Sequence, residues 1–126
     1  MKETTYERRE RQIYNCLKEL GISPNMRGYH YITHIVQDAL KRNPIYNNMP
    51  LMCIYDKTAV QFYTTQNSVE RCIRHAIERC FDNLSPEIAQ KYFGNCISYE
   101  RGKLTNKQFI TLLVEHIKIM DRRPKQ

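Results

Sequence analysis

Thr64-Thr65-Gln66-Asn67-Ser68-Val69-Glu70-Arg71-Cys72-Ile73-Arg74-His75-Ala76-Ile77-Glu78 is the stretch on which the fold turns. Val69, Ile73, Ala76, Ile77 and then Cys80 recur every three or four residues, and on a helix that spacing gathers them on one side. Asn67, Glu70, Arg71, Arg74, His75 and Glu78 fall on the other side, concentrated in the N-terminal half. Thr65 suits the N-cap, because its hydroxyl can accept a bond from a backbone N–H that the first turn leaves unpaired. The spacing predicts an amphipathic helix from about Gln66 to Phe81.

Just upstream, a helical stretch opens around Pro50 with Leu51, Cys53 and Ile54. It runs into, or bends before, a short segment from Asp56 to Phe62, and Tyr63-Thr64-Thr65 then breaks the pattern. A short helix with Ala59 and Phe62, a three-residue break, a capping Thr and a longer amphipathic helix make the outline of a helix-turn-helix. Working outward, Thr4 with Glu7 forms a capping box for a first helix that stops at Gly21 and buries Ile13, Cys16, Leu17 and Leu20. A second helix starts near Arg27 to Tyr29, buries Ile32, Ile35, Val36, Ala39 and Leu40, and ends before Pro44. Ser85-Pro86-Glu87 reads as N-cap, first-turn proline and dipole-matching acid of a short helix closing at Gly94, followed by a loop over 95–104. Thr105 and Gln108 box the last helix, with Phe109, Leu112, Leu113, Ile117 and Met120 toward the core. The expected class is all-α: about six helices around a central helix-turn-helix, winged-helix-like without a substantial sheet. One domain is expected over 5–120, with flexible ends at 1–4 and 121–126.

The whole chain of 126 residues carries 20 Lys and Arg against 13 Asp and Glu, a net charge of +7, which favours an anionic partner. It shows no apolar leader and no run long enough to span a bilayer, so a cytoplasmic location is expected. Its five cysteines, Cys16, Cys53, Cys72, Cys80 and Cys96, form no CxxC pair and read as reduced, mostly buried thiols. Cys72, His75 and Cys80 are the one conceivable zinc set, but Cys72 and Cys80 lean to the apolar side while His75 does not; neither metal nor cofactor is expected. The nine tyrosines fit the closing of a small core better than a stacking platform for single strands.

The outer residues of the Gln66 helix suit base reading. A guanidinium donates two parallel bonds to guanine O6 and N7, and a carboxylate accepts from cytosine N4, so Arg71, Arg74 and Glu70 together can specify a few base pairs. The same pattern on any helix can be a solvated face with an i,i+4 pair between Glu70 and Arg74. Thr65, Asn67, Ser68 and His75 are candidate contacts to the DNA backbone. For His75, a phosphate contact ranks ahead of packing and of a catalytic base beside Cys72. No activated nucleophile or phosphate cradle accompanies it, and no enzyme is expected.

The quoted segment closely resembles the recognition helix in the C-terminal DNA-binding effector domain of the stage-zero sporulation response regulator, the sporulation initiation transcription factor family of endospore-forming Firmicutes. Gly21-Ile22, Gly28-Tyr29-His30-Tyr31, Ala59 with Phe62, Phe93-Gly94 and Leu104-Thr105-Asn106-Lys107-Gln108-Phe109-Ile110 resemble the family's other landmarks, in order, over roughly Arg9 to Ile119. The resemblance implies a six-helix transcription factor domain in which Glu70, Arg71 and Arg74 read bases and His75 assists. It implies double-stranded promoter DNA bound by two copies in tandem, and a contact with the RNA polymerase sigma subunit that no residue here locates. The family's effector domain follows a phosphorylated receiver; none is expected in this chain, so control by phosphorylation in cis is not expected either. Ser68, Val60 and Gln61 stand where the family usually carries basic residues. That departure motivates an alternative function, a protein-interaction adaptor or antagonist that kept the fold and lost DNA binding.

Overall fold

The computed structural model describes residues 2–41, 49–94 and 104–122. Among them lie six helices and no strand: α1 (Thr5–Glu19), α2 (Arg27–Lys41), α3 (Leu51–Gln61), α4 (Gln66–Asp82), α5 (Pro86–Phe93) and α6 (Asn106–Arg122). Pro44, Cys96 and most of the 95–104 loop lie outside the described residues.

The helix boundaries follow local chemistry. Thr4 Oγ1 accepts from the Glu7 N–H at 3.0 Å while the Glu7 carboxylate accepts from the Thr4 N–H, closing the box ahead of α1. At its other end, Gly21 (φ 80°) takes the left-handed position and returns two bonds, Gly21 N–H to Lys18 O and Ile22 N–H to Leu17 O. Ser85 accepts from the Ile88 N–H ahead of Pro86 in α5, and Thr105 and Gln108 bond reciprocally at 3.1 and 2.9 Å ahead of α6. Thr4 and Asp121, both in stretches expected to be flexible ends, are held: Thr4 caps α1, and Asp121, inside α6, accepts from Gln12 Nε2 at 2.9 Å.

The region from Leu51 to Gln61 is one continuous helix rather than two segments. Its buried side is Ile54, Tyr55, Thr58 and Ala59, and the Thr58 hydroxyl donates to the Ile54 carbonyl at 2.8 Å, so no buried polar group is stranded there. Cys53 faces solvent, and Phe62, just past the helix, is 37% exposed with its ring edge against Tyr31 and His34. α3 ends in the same two-bond pattern as α1, Tyr63 N–H to Val60 O and Thr64 N–H to Ala59 O. Here the left-handed residue is Tyr63, at φ 54°. A side chain at that position crowds the backbone and costs about 1–2 kcal/mol, which is why glycine is the usual occupant.

α2 and α4 form the centre, each packed on the other and on α6, with α3 beside α4 and α1 beside α2. Ile13, Leu17, Ile32, Val36, Val69, Ile73, Phe109 and Ile117 are fully enclosed between them. Where α2 crosses α4 the approach is backbone to backbone. A Cβ on Gly28 would overlap the carbonyl oxygen of Cys72 and come within 2.8 Å of Ala76 Cβ. Met120, expected in the core, is 36% exposed, although its neighbours Ile117 and Asp121 meet the rest of the fold; Leu112 is half-buried.

Candidate nucleic-acid interface

The second helix of the α3–α4 pair rests on five buried residues, Val69, Ile73, Ala76, Ile77 and Cys80, the same five that the periodicity gathers on one side. Thr65, in extended conformation, caps it by accepting from the Ser68 N–H at 3.1 Å. That cap, the core stripe and the Gly28 contact fix the axis and rotation of α4. Its other face is thereby fixed toward solvent.

On that face Asn67, Arg71, Arg74, His75, Glu78 and Arg79 are exposed, while Ser68 and Glu70 are half-buried. The packing role weighed for His75 does not hold, because its ring lies at the surface. Cys72 is half-buried beneath the α2 crossing, and among the described residues no three His, Cys, Asp or Glu side chains are placed to hold a metal ion.

Arg74 sits between two carboxylates of its own helix: Nε donates to Glu70 Oε1 at 3.1 Å, and a terminal nitrogen lies 3.8 Å from Glu78 Oε1. Arg71 has no ion-pair partner among the described residues. The surface pairing of Arg74 contributes about 0.3–0.5 kcal/mol, whereas a bidentate contact to a base edge discriminates by about 1–3 kcal/mol. The pair is weak, and it holds both groups extended along the helix surface.

Asn106 stands at the start of α6, where residue type and spacing assign it no role. Its side-chain amide donates to the Tyr55 hydroxyl at 3.0 Å and to the Glu70 backbone carbonyl at 3.2 Å, tying α6 to both helices of the pair at the turn that carries Glu70. Tyr55 is pushed above the usual phenol range by burial, against which the Asn106 bond acts. Gly28 is the second residue of this kind. Its sequence signals are a glycine in the first turn of an amphipathic helix and its place in the Gly28-Tyr29-His30-Tyr31 landmark, and neither names the partner.

No helix among the described residues is long and apolar enough to cross a membrane. A family model described as "Sporulation initiation factor Spo0A C terminal" matches residues 13–117, most of the chain.

Proposed function

Because the chain belongs to the Spo0A C-terminal family of sporulation initiation factors, DNA-binding domains of sporulation regulators, we propose that it reads specific duplex sequences by laying α4 in the major groove of promoter DNA. Arg71 and Arg74 donate to guanine edges and Glu70 accepts from cytosine N4. Thr65, Asn67, Ser68 and His75 meet the sugar-phosphate backbone at either side and fix the register. The observation that carries this reading is the exposure of Arg71 and Arg74 on the first turns of a helix whose opposite face is locked into the core. The half-buried Glu70 beside them, its carboxylate paired with Arg74 at the surface, fits base reading better than phosphate binding, since a carboxylate only repels phosphates.

Selection of duplexes from a random library, followed by titration of the best duplex and a scrambled one across salt concentrations, tests this. The selected duplex is expected to bind more tightly at every salt, with log K falling by about 0.9 per neutralised phosphate for each unit of log salt. A second reading, an adaptor that no longer engages DNA, is favoured by the outer face of α3, where Val60 is 78% exposed and basic side chains are sparse. It predicts equal, weak binding of both duplexes even at low salt.

A further inference from the structure

Beside the base-reading face, the first turn of α2 and the turn ahead of α4 enclose an open depression of about 310 Å³. Arg27 and His30 form one wall and Tyr63 and Thr64 the other, with Tyr31 and Phe62 packed edge to face at 5.1 Å beneath them. None of these six lining residues is acidic. Arg27 is exposed and has no carboxylate partner among the described residues, and the His30 ring is steadied by donating Nε2–H to the Pro24 carbonyl at 2.7 Å.

An independent observation concerns the opposite wall. Tyr63 occupies a left-handed backbone position at φ 54° that disfavours any side chain, yet its side chain gives the fold nothing in return, being 97% exposed. A residue kept against its backbone preference and turned wholly to solvent is a candidate for a contact made only in a complex. Gly28, the residue after Arg27, is the one pressed against α4, so the depression is rigidly tied to the recognition helix.

We propose that this depression seats a phosphate of the DNA backbone flanking the base-reading face, with Arg27 supplying the charge and the Tyr63 and Thr64 hydroxyls donating hydrogen bonds. The half-exposed Phe62 ring gives the adjoining deoxyribose an apolar surface. The inference rests on the DNA-binding reading and extends the contact area from α4 to α2. It also gives a source of positive charge in a region where Val60, Gln61 and Ser68 offer none.

The test measures binding of wild type, Arg27→Ala and Tyr63→Gly to a library-selected duplex and a scrambled one across salt concentrations, with a thermal melt of each protein. Arg27→Ala is expected to reduce the salt slope by about 0.9 while leaving the ratio between the two duplexes unchanged. Tyr63→Gly is expected to melt higher than wild type, because the backbone strain is relieved, and still to bind both duplexes about two- to tenfold more weakly. A residue with a merely structural role would move stability and affinity in the same direction. An unchanged salt slope in Arg27→Ala, or unchanged affinity in Tyr63→Gly, overturns the phosphate seat while DNA binding by wild type stands. Failure of wild type to prefer the selected duplex overturns the DNA-binding reading, and this inference with it.

Discussion

Replacing Gly28 with alanine sets two effects of opposite sign against each other, and their magnitudes decide the outcome. Alanine is a better helix former than glycine by up to about 1 kcal/mol, so on propensity alone α2 would gain. Against that, the new methyl would overlap the Cys72 carbonyl oxygen and lie 2.8 Å from Ala76 Cβ. The carbonyl belongs to the backbone in the middle of α4 and cannot swing aside; relief requires α2 and α4 to part along the most extensive helix contact in the fold. Overpacking of this kind costs about 1–3 kcal/mol, and backbone rather than side-chain overlap places it toward the upper end. The net expectation is a loss of about 1–2 kcal/mol, equivalent to a melting temperature lowered by roughly 4–10 °C for a domain of this size. Thermal unfolding followed by far-ultraviolet circular dichroism measures it. Adding Ala76→Gly should recover only part of the loss, because the Cys72 carbonyl remains. A Gly28→Ala protein that melts at or above wild type would refute the backbone contact that sets the rotation of α4.

Three further outcomes follow from named contacts. Asn106→Ala removes the donor to the Tyr55 hydroxyl and the second donor to the Glu70 carbonyl, which keeps its helical bond, so stability should fall by about 1 kcal/mol in chemical denaturation. In the same variant the Tyr55 titration, followed by phenolate absorbance, should move further upward, because the bond that opposes burial is gone. Glu19 is held below the usual glutamate range, first by its bond from Lys91 Nζ at 2.8 Å and then by that from the Tyr92 hydroxyl. A carboxyl lowered by folding stabilises the protein above its unfolded pKa and loses that contribution as pH falls toward the folded value. Wild type should therefore out-melt Glu19→Gln near neutrality, with the gap closing as pH drops through and below the ordinary glutamate range; a gap that stays constant with pH would contradict the pairing.

Much of the fold was legible because its signals are local and periodic. The five buried residues of α4, the Thr65 cap, the Ser85-Pro86 start of α5 and the Thr105/Gln108 box are each written within a few neighbouring residues. What stayed hidden depends on partners distant in the chain. Nothing beside Asn106 announces that its amide reaches the carbonyl of Glu70, and nothing beside Gly28 names Cys72. Tyr63 was legible as a break but not as a left-handed residue, since a bulky side chain is the wrong marker for that backbone. Periodicity misjudged Met120, which shares the apolar spacing of α6 yet is 36% exposed, because spacing does not say how far a partner covers each turn. On the candidate interface, residue types and spacing identified which side chains face outward; that Arg74 rests on Glu70 and Glu78 while Arg71 has no such partner among the described residues required the geometry.

The most direct measurement is a binding profile of wild type and Arg71→Ala over a panel of duplexes, each carrying one base-pair change in the selected sequence. Wild type should lose about 1–3 kcal/mol for changes at the contacted pairs. Arg71→Ala should become indifferent to the base at one position and keep the wild-type ranking at every other. A profile that Arg71→Ala leaves unaltered at all positions would contradict the placement of α4 in the major groove.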